Sequence, residues 1–280
     1  DEAFVATNIL SRDYAGLLGT LEFDQRAPLG FLVAVKFFWE SLGHDDRVLR
    51  LAPLLASIAG LFVFRRIAAR LLEPWFQVLA TTFFALTIPQ IFYASDLKQY
   101  SLDVLTALVM TNLALAEGEL TGSWRQTILA GLAGCCSFFC SFATMFVLAP
   151  LGAAVLWYRL RSPARLMPRL AALFALWGIG FLLVFVLQIR HYDPNPGWKA
   201  LWGEAFLHEP LLSLGGLRWV AQRFIHAVNN PTGLLPTAMA CMLVIVGAAT
   251  LARTSPFRLA CLAGPLVAVA AAAEIGRAHV

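Results

Sequence analysis

At 280 residues, 59% hydrophobic and only 14% charged, with a mean hydropathy of +0.72, the chain is too apolar for a soluble enzyme of its size. Its apolar residues come in long runs rather than at amphipathic spacing, the signature of a polytopic membrane protein. The formal charge of +4 is small and no dense basic run is interleaved with aromatics, which argues against nucleic acid as a partner and favours anionic membrane lipid.

The chain opens on Asp1-Glu2. A polytopic protein beginning on an acidic pair, without an initiator Met, leads us to expect at least one membrane helix upstream. Residues 3–18 place Phe4, Ile9, Leu10, Leu17 and Leu18 among Asn8, Arg12 and Asp13, which suits a helix lying in the membrane interface. Residues 28–42 form a second such candidate: Phe31, Val35, Phe38 and Trp39 share a face, and Lys36 and Glu40 make an i,i+4 pair on the other, read with Asp45 and Asp46 as surface charge. The first span is expected over 48–64, followed by Arg65, Arg66 and Arg70; the second covers 74–93 and the third 100–116.

Cations close to the ends of spans are retained on the cytoplasmic side, so the Arg65–Arg70 cluster places residues 1–47 and the 95–99 loop outside. Arg159, Arg161, Arg165 and Arg169 mark a second inner loop. Between Arg125 and Arg159 the apolar run 128–158 would be about 46 Å long as one helix, too long and of the wrong parity for a single crossing. Two short spans turning near residues 139–144, where Cys140, Ser141 and Thr144 relax the hydrophobicity, restore both. Residues 171–189 then lead out to the polar segment 190–232, 234–251 return to Arg253 and Arg258, and 259–273 ascend again. On this map thirteen of the seventeen acids lie outside, with Glu73, Glu117 and Glu119 inside and Glu274 in the tail. One all-α membrane domain spans 1–273, a transmembrane helix bundle with interfacial helices in its first outer loop. Residues 274–280, His279 included, back-translate to a common sequencing adapter and are set apart as a non-native tail.

Cys135, Cys136, Cys140, Cys241 and Cys261 sit inside apolar runs without paired ligand spacing and read as small buried hydrophobes. His191, His208 and His226 share the outer segment 190–232, but no pair has ligand spacing on a helix face. Trp198, Trp202 and Trp219 there suit anchoring in the headgroup layer, and Asn230-Pro231-Thr232 fails as a glycosylation acceptor because of its proline.

Three charged stretches fall on the same outer side: Asp1-Glu2, Gln25-Arg26-Ala27-Pro28 and Tyr93-Ala94-Ser95-Asp96-Leu97-Lys98-Gln99-Tyr100. Together with Arg47-Val48-Leu49-Arg50-Leu51-Ala52-Pro53 and the double-Arg segment, their order resembles the GT-C glycosyltransferases of family 39, most clearly over residues 1–117. That group includes protein O-mannosyltransferases and bacterial aminoarabinose transferases. The resemblance implies a GT-C bundle in the cell (inner) membrane, a polyprenyl-phosphate sugar donor, a lipid, glycan or protein acceptor and a catalytic Asp heading the first outer loop. The chain departs from the family where bacterial relatives show Glu then Arg, here Asp96 and Lys98, and where some show Glu-Lys-Pro, here Gln25-Arg26-Ala27-Pro28.

Transfer from a lipid-phosphate sugar needs a base for the acceptor's proton and fixed positive charge against the departing phosphate. With the resemblance, Asp1 is the expected base, Glu2 its orienting neighbour and Asp96 a second carboxylate, while Arg26 and Lys98 are the expected phosphate ligands and Tyr100 a hydroxyl donor. Without it, Asp1-Glu2 suits a helix start and Asp96 with Lys98 a solvated interfacial pair. The carboxylates could work with a divalent metal or without one. The rival readings are a transporter or flippase of a lipid-linked or anionic substrate, which would set ionisable residues near the bilayer midplane, and a scaffold, which would not need the acidic pair.

Overall fold

The computed structural model describes residues 2–116, 123–160, 167–191, 207, 209–232 and 237–278. Among them the chain forms thirteen α-helices, two 3-10 turns and no strand. It divides into two compact units, Asp1–Tyr192 and Asp193–Val280. Among the described residues four helices are long and apolar enough to cross a membrane, Leu51–Leu71, Met167–His191, Thr237–Thr254 and Pro256–Glu274, and the chain is a helical polytopic membrane protein.

The first unit opens with two short surface helices. α1 (Glu2–Ser11) is followed by a 3-10 turn at Gly16–Leu18, so the single helix expected over 3–18 is broken at Arg12–Asp13. α2 (Leu29–Leu42) buries Phe31 and Val35 completely and packs Phe38 and Trp39 beside them, the face its periodicity predicted. The surface role expected for Lys36 is corrected. Its side chain is buried, donating from Nζ to the Ile9 carbonyl at 3.2 Å while holding Glu40 at 3.2 Å, because α1 lies across the face on which it stands. Asn8 is likewise buried, its amide donating to the Phe4 and Glu22 carbonyls and its Oδ1 accepting from Glu22 N–H at 2.8 Å. These bonds satisfy a polar group that burial would otherwise penalise, and they tie α1 to the chain leading into α2.

α3 (Asp46–Leu49), N-capped by Asp45, turns at Arg50 into α4 (Leu51–Leu71). Arg65, Arg66 and Arg70 lie within α4 rather than in a loop beyond it. The second span is broken: α5 (Pro74–Leu86) and α6 (Ile88–Ser95) meet at a 51° bend, where Pro89 in the first turn of α6 lacks the N–H that would continue the ladder. α7 (Tyr100–Leu115) packs along α4, with Ser57 and Ser101 hydroxyls 3.0 Å apart and Arg70 bonded to Asn112. α8 (Trp124–Cys140) and α9 (Thr144–Arg159) are the two short helices expected, separated by a turn at 141–143 in which Thr144 Oγ1 donates to the Ser137 carbonyl at 2.9 Å.

α10 (Met167–Leu187) packs along α8 through small residues. The Trp177 indole lies against Gly134 and donates to the Ala130 carbonyl at 3.2 Å, and Gly180 faces the Cys135 backbone. A Cβ at Gly134 would overlap the indole ring, so Gly134→Val should lower the thermal midpoint of the purified protein, overpacking of this kind costing about 1–3 kcal/mol. An unchanged melt would show that α8 and α10 do not pack this way.

The end of α10 returns to the start of α2. Gln188 Oε1 accepts from Leu29 N–H at 3.1 Å and its Nε2 donates to the Ala27 carbonyl at 3.3 Å. Gly30 abuts the Phe139 carbonyl at the end of α8. The surface helices, the 96–99 loop, the 141–143 turn and the end of α10 thus gather at one end of this unit.

In the second unit, part of the polar segment 190–232 is helical. α11 (Leu214–Thr232) carries Trp219, half-buried, with the Arg223 guanidinium 5.4 Å from its ring. α12 (Thr237–Thr254) and α13 (Pro256–Ala278) follow, and Glu274 accepts from Leu211 N–H at 2.9 Å.

Candidate functional site

The site forms where the first turn of α1, the joint between α3 and α4 and the loop between α6 and α7 meet. Leu97 creates the meeting. It is buried in the core with Val5, Ile9, Ala52, Ala56 and Leu102, which draws its loop under α1 and leaves Asp96 and Lys98 flanking a fixed backbone. Its N–H donates to Glu2 Oε1 at 2.6 Å. Glu2 Oε2 takes Arg50 Nη2 at 2.9 Å, and the Asp96 carboxyl hydrogen-bonds to Glu2 as well. Arg50 sits at φ −92°, ψ 0°, a kink between two helices that aims its side chain out of the helical register.

Two carboxylates so close cannot both ionise freely. Burial, then the hydrogen bond and charge of Glu2, push Asp96 up to about 6. Burial acts on Glu2 in the same direction, but the Leu97 N–H, Asp96 and Arg50 outweigh it and leave Glu2 lowered. The pair therefore holds a proton below about pH 6, with Asp96 the member that gains and loses it. Lys98 is lowered by burial against the pull of Asp96 and Glu2.

Two cavities adjoin at this cluster. One, of about 510 Å³, is lined by Glu2, Ala3, Arg50, Phe92, Ser95 and Asp96. The other, of about 600 Å³, runs between α4, α5 and α6 and is walled by Leu54, Ile58, Leu61, Phe84 and Ile91, with Arg47, Arg50 and Ser95 at the end nearer the carboxylates. Arg50 and Ser95 belong to both. The arrangement can hold a molecule with a long apolar tail, an anionic joint and a polar head, and can exchange a proton with the head.

Of the residues expected from the sequence, Glu2 and Asp96 come together, and Asp1 lies outside the described residues. Lys98 Nζ donates to Gln25 Oε1 at 3.1 Å, joining the 25–28 and 93–100 stretches beside the cavities, but neither Lys98 nor exposed Arg26 lines them. Phe23 and Asp24, both at positive φ (60° and 52°), turn the chain so that Gln25 faces Lys98, with Phe23 stacked on Phe4 at 4.6 Å. Tyr100 heads α7 with its ring 4.7 Å from Tyr93 and lines neither cavity. Arg47 and Arg50 were missed as site residues.

Among the described residues no three His, Cys, Asp or Glu side chains converge as a metal site would require. His191 is exposed and bonded to Arg190, and His226 is exposed on α11, while Trp198, Trp202 and His208 lie outside the described residues. No protein-family model, curated protein or solved structure matches the chain.

Proposed function

We propose that the protein is an integral-membrane glycosyltransferase that moves a sugar from a polyprenyl-phosphate donor to an acceptor hydroxyl on the extracytoplasmic face. The observation that carries this reading is the pair of adjoining cavities with Arg50 and Ser95 in common. The apolar cleft takes the first isoprene units of the donor, Arg50 and Arg47 face its phosphate, and the sugar projects between Glu2 and Asp96. An acceptor oxygen attacks the anomeric carbon, the bond from that carbon to the phosphate oxygen breaks, the acceptor's proton passes to a carboxylate, and the lipid phosphate leaves against the guanidinium charge. The resemblance assigns the proton to Asp1; Asp96, deprotonated above about pH 6, is the second carboxylate within the cavity. Glu2 bridges Leu97 and Arg50 and acts by positioning.

Filling the apolar cleft tests the reading. Ala85→Trp, on its α5 wall, should abolish transfer from long-chain polyprenyl donors while sparing a donor analogue with a very short lipid. Equal loss with both donors, or no loss with either, would remove the cleft from the mechanism.

The transporter reading draws on the α5–α6 bend and on Asp103, whose Oδ1 is buried near Ser141 beside the α8–α9 turn. Proteoliposomes that translocate a lipid-linked sugar without transferring it would decide for this alternative.

A further inference from the structure

The cavity beside Glu2 and Asp96 has one wall that the transfer chemistry leaves unused. Four of its six lining residues, Glu2, Arg50, Ser95 and Asp96, are charged or hydroxylic, and the other two are Ala3 and Phe92. Among the described residues Phe92 is thus the one aromatic surface that the cavity offers. It is 60% exposed, whereas Leu97, five residues on, is 3% exposed in the core beneath the same loop. A ring left uncovered beside two carboxylates contributes little to the fold and is open to a ligand.

The backbone holds that ring next to the charged groups. Phe92 and Ser95 are three residues apart and share a face of the last turn of α6, which Asp96 caps. The Ser95 hydroxyl donates to the Phe92 carbonyl at 3.0 Å, and the Phe92 ring meets Tyr93 edge-on at 5.3 Å. Tyr93 in turn lies 4.7 Å from Tyr100 at the head of α7.

A pyranose has two kinds of surface, C–H groups over one face and hydroxyls around its rim. Carboxylates accept from the hydroxyls, a guanidinium donates to their oxygens, and an aromatic face covers the C–H side. At about 30 Å³ for each water-sized group, the 510 Å³ cavity has room for one such ring and not for two.

We infer that Phe92 is the platform on which the donor's sugar ring stacks, so that the site distinguishes a glycosylated lipid phosphate from a bare one. The inference rests on the proposed function and adds to it the residue that reads the sugar. Transfer carries the ring away to the acceptor, and the lipid phosphate left behind keeps the apolar cleft and Arg50 but loses Phe92. The substrate is thereby held more firmly than the product that must depart.

Equilibrium binding to the purified protein in nanodiscs tests the assignment, with polyprenyl phosphates carrying glucose, mannose, galactose or xylose and with the same lipid phosphate bare. The wild type should hold at least one glycosylated probe about tenfold more tightly than the bare one. Phe92→Ala should erase that margin while leaving the affinity for bare lipid phosphate and the thermal midpoint unchanged, and Phe92→Trp should keep the margin. Equal weakening of bare and glycosylated probes in Phe92→Ala would put the ring against the lipid chain and overturn the proposal, as would an undiminished margin in that variant. A wild type that transfers sugar yet shows no margin overturns the role of Phe92 alone. A wild type that binds none of the probes overturns the proposed function along with it.

Discussion

Asp1→Asn should reduce transfer turnover by two to four orders of magnitude while donor affinity survives, because the amide keeps the shape of the carboxylate and cannot take the acceptor's proton. The contrasting variant is Asp96→Asn. The wild-type rate should rise with pH through about 6 as Asp96 loses its proton, and this limb should vanish from the pH–rate profile of Asp96→Asn. The same carboxyl acts on stability with the opposite sign. Its folded value lies above the ordinary aspartate value of 3.8, so the fold binds the proton more tightly than the unfolded chain, and this contribution is lost as pH rises between about 4 and 6. A variant that gains stability in that window but loses activity would assign Asp96 to chemistry rather than to packing. If Asp1→Asn retains near-normal turnover while Asp96→Asn abolishes it, the base belongs to the second outer loop.

Arg50→Ala should weaken donor binding about ten- to hundredfold, the worth of one charge-assisted phosphate contact of about 1.5–3 kcal/mol. Its ion pair with Glu2 is half exposed and contributes little to stability, about 0–1 kcal/mol, so the fold should survive. Lys98→Ala should cost less than Arg50→Ala, since Lys98 is bonded to Gln25 and lines neither cavity, and Lys98→Arg should be tolerated. Equilibrium binding of a polyprenyl-phosphate probe measures both. Equal losses in Arg50→Ala and Lys98→Ala would move the phosphate toward Gln25 and away from the shared edge of the cavities.

The helices were legible because long apolar runs in a lipid solvent leave the backbone one way to satisfy its hydrogen bonds. The turn at 141–143 was legible because a run of the wrong length must break, and at the break the Thr144 hydroxyl donates to the Ser137 carbonyl. The burial of Lys36 and Asn8 was hidden, because periodicity along α1 and α2 says which faces are apolar and not that one helix will lie across the other. Arg50 was hidden by its position in a stretch valued for its order. Only the approach of Glu2, 48 residues earlier in the chain, turned that cation into part of a site. The α5–α6 break rests on one proline whose effect a hydropathy window averages away.

That break has a consequence for kinetics. α5 and α6 bury no residue, and they wall an apolar cleft together with α4. On the proposed function, a polyprenyl-phosphate donor would reach Arg50 sideways without leaving the bilayer, and its encounter with the protein would be a two-dimensional search. The concentration that governs occupancy is then the donor's mole fraction in the membrane or micelle, so added detergent acts as a diluent even when the amount of donor in the tube is unchanged.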